Sequence, residues 1–207
     1  MSILALTGLV NFTTSLFAGI FILIKNPRET PSRLFFLVNI SISLYSLGYF
    51  FWQISSTIAN ATFWFHVLTI GIILIQITFL HFVFSFTEIL NNKRKEIFIY
   101  YLINAAFIVL SIIPGFFYHL EPRFNLGYWP EARPIFHVYL VFWVWQCVYG
   151  LYWLIKGVMK FSGIKSEQIK FIIISAIIGF IGGASNWFIW YKINIPPYHN
   201  ILISIYV

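Results

Sequence analysis

Six apolar runs, each long enough to cross a bilayer, constrain this chain more than any other feature. They cover residues 3–24, 34–55, 63–88, 97–117, 135–159 and 171–191, and a last run covers 200–207. A hydrocarbon core about 30 Å thick takes about 20 helical residues to cross. Lipid offers no partner for a free backbone N–H or C=O, so each run must be helical. The expectation is an all-α polytopic membrane helix bundle: six complete transmembrane helices and a seventh cut short at Val207, together making one domain over residues 1–207. Of 207 residues, 60% are hydrophobic and 9% charged, with a mean hydropathy of +0.85. So few charges could not solubilise that much apolar surface, where a soluble domain carries about 25%.

Polar punctuation separates the runs. Lys25-Asn26-Pro27-Arg28, Asn91-Asn92-Lys93-Arg94-Lys95, Gly163 and Pro196-Pro197 all read as loops. Residues 118–134, with Pro122, Gly127, Pro130 and Pro134, form the longest connection and the one candidate for a small outer cap. Basic residues are unevenly shared. Loops one, three and five hold Lys25, Arg28, Arg33, Lys93, Arg94, Lys95, Lys156, Lys160, Lys165 and Lys170, whereas the others hold Arg123, Arg133 and Lys192. The positive-inside rule then puts the N-terminus outside and the odd loops in the cytoplasm. It also accounts for the net charge of +7 without nucleic acid. Trp52, Trp64, Trp129, Trp187 and Trp190 fall near the outer boundary, where an interfacial belt is expected. The N-terminus has no basic n-region or cleavage site, so the first run reads as a retained helix.

The spans hold almost no charge; Glu88 and Lys156 sit at helix ends, within reach of the interface. Ion-coupled carriers normally need buried ionisable groups, so such a carrier is disfavoured. Asn11, Gln53, His66, His137, Asn186, His199 and Asn200 all fall in or near the outer half, among Trp52, Trp64, Trp143, Trp187 and Tyr198. A few polar groups in aromatic surroundings suit a small-molecule site. They equally suit interhelical hydrogen bonds that fix packing. Ser175, Gly179 and Gly183 recur at four-residue spacing and read as a helix-packing stripe. No HExxH or GxSxG motif occurs, Cys147 is the single cysteine, and the five His show no i,i+4 pairing. No catalytic residue, metal site or cofactor is therefore expected, and the chain itself is not read as an enzyme. A retinal protein is disfavoured too, because residues 201–207 contain no Lys.

Several segments taken together resemble the N-terminal seven-helix membrane region of sensor histidine kinases. They are Asn11, Lys25-Asn26-Pro27-Arg28, Ser32-Arg33-Leu34-Phe35, Tyr45-Ser46-Leu47-Gly48-Tyr49, Phe63-Trp64, Phe79-Leu80-His81-Phe82 and Gly127-Tyr128. The block Glu167-Gln168-Ile169-Lys170, then 179–187, then Ile195-Pro196-Pro197-Tyr198-His199-Asn200 is the most specific. Tyr45 stands where the family commonly has Trp, and His199 where Gly is common. The resemblance implies a sensory input module in a prokaryotic plasma membrane, part of a two-component system. A small-molecule or membrane-derived signal would act on the outer half, and helix seven would pass it to a cytoplasmic kinase, or in some relatives a diguanylate cyclase, that this chain lacks. It also implies a homodimer through the full-length protein. A small transporter or channel for a neutral solute is the competing reading; it should show inverted repeats, and none is visible.

Overall fold

The computed structural model describes residues 2–113, 115–117 and 119–206, with the side chains of 205 and 206 left aside. Tyr118, the first residue of the long connection, and Val207, the last of the final run, lie outside the described residues. The elements follow in order: α1 Ile3–Lys25, α2 Thr30–Gln53, α3 Ile58–Phe86, α4 Leu90–Ile112, β1 Glu121–Pro122, β2 Tyr128–Trp129, α5 Pro134–Lys160, α6 Gly163–Ala184 and a one-turn α7 Trp187–Trp190. A 3-10 turn, Tyr198–Leu202, then runs into α8, Ile203–Tyr206. Among the described residues six helices are long and apolar enough to span a membrane, the sixth continuing from Gly163 through Trp190. The chain is an all-α polytopic membrane bundle.

Local chemistry sets the helix ends. Ser2 Oγ accepts from Ala5 N at 3.1 Å and Thr57 Oγ1 from Asn60 N at 3.3 Å, each capping a helix start. Pro31 and Pro134 occupy first turns, where a missing N–H costs nothing. Helices α2, α3, α4 and α6 begin one to two turns before their apolar runs. Hydropathy marks hydrocarbon, whereas helical hydrogen bonding continues through interfacial polar residues. The segment 91–95, expected as a loop, is thus the first turns of α4, braced by a 2.6 Å Lys93–Glu96 pair. At the other end, α4 stops at Ile112, and Phe116 and Phe117 belong to the connection.

Helix α3 is the central element: 67% of its apolar stretch is buried, against 22% in α4. The other helices turn large apolar side chains outward, among them Phe17, Val141, Met159 and Phe171, each at least 70% exposed. Such a surface is stable only against lipid or another apolar partner. Two glycines set the α2–α3 crossing. A Cβ on Gly48 would lie 2.6 Å from Leu68 N, and one on Gly71 2.5 Å from Tyr45 N.

Residues 115–117 and 119–133 form a cap over one end. The β1–β2 ribbon pairs Glu121 with Trp129. Its turn bonds Leu126 N to Arg123 O at 2.8 Å, with Phe124 and Asn125 both at positive φ, the form that matches strand twist. The buried Arg123 donates to the Ile189 carbonyl at 3.2 Å and pairs with Glu131 at 3.2 Å. Glu131 also meets Lys192 at 2.8 Å. Beneath the cap, Trp52, Trp129 and Trp190 are each at most 2% exposed. Trp52 and Trp129 pack edge-on with ring centroids 4.6 Å apart, and Phe65 and Trp190 pack tilted at 5.2 Å. These three tryptophans, expected in a lipid-facing belt, are instead the core of the cap. Their depth along the bundle was that of a belt, but their azimuth is inward. Trp64 and Trp187 are half-buried.

At the opposite, basic end, Glu88 sits in the α3–α4 turn at φ 61°. It pairs with Lys165 and, at 3.7 Å, with Lys160, tying that turn to the α5–α6 turn.

The ion pairs of the cap predict an acid response. The hydrogen bond from Lys192, with Arg123 adding to it, holds the Glu131 carboxyl below the usual carboxylate range. A depressed folded-state pKa contributes stability that is present at neutral pH and lost as pH falls through that value. At pH 5 pepsin should therefore nick residues 119–133 faster in Glu131→Gln than in the wild type, and at pH 3 the two proteins should be nicked at the same rate. Equal cleavage of both proteins at both pH values would count against this clasp.

Candidate functional site

In a bilayer interior, a polar side chain without a partner pays its desolvation in full. The densest polar network among the described residues joins four parts of the chain just below the cap. Asn200, fully buried in the 3-10 turn, is its hub. Its Oδ1 accepts from Tyr45 Oη at 2.6 Å and from Asn186 Nδ2 at 3.1 Å. Its Nδ2 donates to Thr7 Oγ1 at 3.1 Å, and its backbone carbonyl accepts from Asn11 Nδ2 at 2.8 Å. Asn186 Nδ2 also reaches Tyr45 Oη at 3.1 Å. Thr7, Asn11, Tyr45 and Asn186 are all at most 5% exposed. The final segment is thus stitched to α1, α2 and the end of the sixth span by side chains rather than by apolar contact alone.

Local structure explains the convergence. Thr7 and Asn11 are one turn apart on α1, so both face the same neighbour. Asn186 lies at the break between α6 and α7, and Pro196-Pro197 steers the chain back so that Asn200 enters the bundle. A Cβ on Gly182 would sit 2.8 Å from the His199 carbonyl, so this glycine lets the turn approach α6.

Next to the network is a narrow pocket of about 60 Å³, walled by α2, α3, α5, α6, α7 and Ile203 of α8. Aromatic and aliphatic side chains dominate it, including Trp52, Trp143, Phe180 and Trp187. Tyr45, Tyr49, Gln76 and Asn186 also belong to the lining, but the surface exposed to the pocket is almost wholly apolar. No charged residue lines it.

Of the residues singled out from sequence, Asn11, Asn186 and Asn200 come together here. The others do not. His66 lies in a separate cleft of about 250 Å³ with His119, Arg133 and Ser111. Gln53 ends α2, half-buried. His137 is exposed and stacks on Tyr191 with ring centroids 5.6 Å apart. The His199 side chain is exposed, and only its carbonyl meets α6. On α6, Gly179 and Gly183 line the pocket and Ser175 is half-buried. The tightest approach falls at Gly182 instead; a Cβ on Gly183 would meet only Ile203 Cδ1, at an ordinary 3.6 Å. Among the described residues no cluster of three His, Cys, Asp or Glu has metal-binding geometry.

Sequence reasoning passed over Thr7, Tyr49 and Trp190 as site residues and met Tyr45 only as part of a resemblance. The i,i+4 spacings of Thr7 with Asn11 and Tyr45 with Tyr49 were the available signals. It also missed two buried mid-bundle pairs. Asn104 Nδ2 donates to Gln146 Oε1 at 3.0 Å, and Cys147 Sγ donates to Gln76 Oε1 at 3.3 Å. Both join helices, as such groups commonly do in membranes.

A family model described as the N-terminal 7TM region of histidine kinase matches residues 8–206. No curated protein matches the chain, and no solved structure does.

Proposed function

The chain belongs to the N-terminal 7TM region of histidine kinases, and from that premise we propose that its capped half receives a signal and its last segment carries the response to a cytoplasmic effector. The observation that carries this reading is Asn200. A fully buried side chain in the last segment is bonded to residues of three other helices. Anything that rearranges those helices therefore changes what holds the last segment in place. A signal acts only through unequal affinity for two such arrangements.

In this reading the capped end faces out and the basic end faces the cytoplasm of a prokaryotic cell. The Lys-rich turns around Lys93, Lys95, Lys160 and Lys165 support that orientation. The effector is a histidine kinase acting as a homodimer, and catalysis resides there. The competing transporter reading is set aside on family membership.

Intact cells and inside-out vesicles provide the test. On a Cys147→Ser background, Asn125→Cys in the cap turn should react with a membrane-impermeant maleimide in intact cells, and Lys95→Cys only in vesicles. Protein expressed from its whole reading frame should incorporate phosphate from ATP on a histidine in the same vesicles. Labelling of position 95 in intact cells would overturn the orientation. An absence of histidine phosphorylation would overturn the effector.

A further inference from the structure

We infer that the cleft beside the cap, between α3 and α4, binds a small amphiphilic anion: a carboxylate at the end of one short apolar chain. The inference rests on the sensor reading above for its consequence, not for the binding itself.

Its two unlike edges carry the inference. The cleft, of about 250 Å³, is built from the first turns of α3, the last turn of α4 and the cap. The surface open to it is part polar and part apolar. On the cap side it is lined by Arg133 and His119, and among the described residues that line it none is acidic. The cap's own carboxylates lie against other cations: Glu121 and Glu131 against Arg123, and Glu131 against Lys192. A guanidinium presents a planar fork of N–H donors that matches a carboxylate, and a histidine ring adds a further N–H. The helix side gives no such donors. Thr62 and Ser111 spend their hydroxyl protons on the carbonyls of Ile58 and Ile108, at 2.8 and 2.7 Å. His66 packs its ring on Phe117 with centroids 5.3 Å apart and serves as wall. The anion therefore falls to Arg133 and His119.

The opposite edge sets the ligand's body. Ile58, Ile112 and Ile113 are 52%, 59% and 48% exposed and make an outward apolar rim, with Phe117 and Leu120 continuing the wall. A ligand thus meets a cation at one end and lipid-facing isoleucines at the other. An inorganic anion leaves the apolar wall uncovered, and an ammonium meets Arg133 as a like charge. The volume falls just short of the roughly 300 Å³ at which small-molecule sites usually begin, which suits one short chain and not the paired chains of a phospholipid. The cleft also bears on the network. Phe117 and Ala132 pair across the cap, and Ala132 N donates to the Trp190 carbonyl of α7 at 3.2 Å. Arg133 follows Ala132 directly, so an anion that fixes Arg133 steadies the cap's hold on α7, next to Asn186.

The probe is octanoate carrying a diazirine at its chain end, photolysed with protein from the whole reading frame in phosphatidylcholine nanodiscs. Adducts mapped by mass spectrometry should concentrate in residues 58–66, 111–113 and 115–117. Excess octanoate should reduce them at least ten-fold, whereas acetate, octanamide and octyltrimethylammonium should not. Arg133→Gln should weaken labelling five-fold or more, and Arg133→Lys, which keeps the charge, by less. Thr62→Trp should fill the cleft and abolish labelling. Dihexanoyl phosphatidylglycerol at the same concentration separates a free carboxylate from a leaflet headgroup. Labelling that survives it supports the carboxylate, and a ten-fold loss would assign the cleft to a headgroup and overturn the inference. Adducts scattered over outward residues such as Phe17 and Phe171, competition by octanamide equal to that by octanoate, or unchanged labelling in Arg133→Gln and Thr62→Trp would each overturn it too. Histidine phosphorylation is measured in the same preparation. If it responds to changes in the Asn200 network but octanoate does not bind, only the ligand inference falls. If octanoate binds where expected and no phosphorylation occurs, the site stands and the sensor reading falls.

Discussion

Gly71→Ala is expected to destabilise the bundle by about 3 kcal/mol, the upper part of the range for forced overpacking. The added Cβ would lie 2.5 Å from Tyr45 N and 2.6 Å from Tyr45 Cα. These are backbone atoms, so no side-chain rotation relieves the contact; α2 and α3 must separate. Gly48 makes the reciprocal approach, with Leu68 N at 2.6 Å and its Cα at 2.9 Å. Helices in lipid gain no hydrophobic energy from meeting each other, so close van der Waals packing is a main source of their association. Separation would also draw Tyr45 away from Asn200, coupling the crossing to the polar network. Gly183→Ala is the control. Its Cβ would meet Ile203 at 3.6 Å, and the expected change is about 0.5 kcal/mol or less, within the usual range for substitutions that disturb no special feature. Reversible unfolding by steric trapping in bicelles measures both. A Gly71→Ala protein as stable as wild type would refute the tight crossing.

That crossing was not legible in the sequence, and the reason is physical. Repeats within one helix can be found by spacing, which is how Ser175, Gly179 and Gly183 stood out. Gly48 and Gly71 are single glycines on different helices, each facing the backbone of the other's helix, and no period connects them. The six spans were legible because hydropathy reports the thickness of hydrocarbon. Their ends were not, because helices continue past the hydrocarbon through residues such as Asn91 and Lys93. The same distinction sorts the candidate site. Sequence depth placed Asn11, Gln53, His66, His137, Asn186, His199 and Asn200 near one level. Azimuth decided that Asn11, Asn186 and Asn200 meet while His137 and His199 turn outward. A sequence without its fold carries depth and lacks azimuth, and Trp52, Trp129 and Trp190 were misplaced for that reason.

Asn200→Leu should have the second large effect, on stability and output together. The backbone bond from Asn11 to residue 200 survives the change. The bonds to Tyr45 Oη, Asn186 Nδ2 and Thr7 Oγ1 do not. Interhelical hydrogen bonds in membranes average about 0.6 and reach about 1.7 kcal/mol. Three lost bonds with polar remnants left in an apolar interior therefore suggest about 2–4 kcal/mol. Tyr45→Phe removes one donor and should cost about 1 kcal/mol. Because both substitutions act on one network, their effects should be non-additive by at least about 0.5 kcal/mol. The output follows from the same geometry. With the side-chain ties gone, the last segment keeps its packing on α6 at Gly182 and one backbone bond to α1, but loses its polar ties to Tyr45 of α2 and to Asn186. Histidine phosphorylation in the whole-frame protein should then settle at one level, unmoved by any condition that shifts the wild type, while Tyr45→Phe retains a weakened response. Additive stabilities together with an unchanged response in Asn200→Leu would mean that the hub only fastens the bundle and transmits nothing.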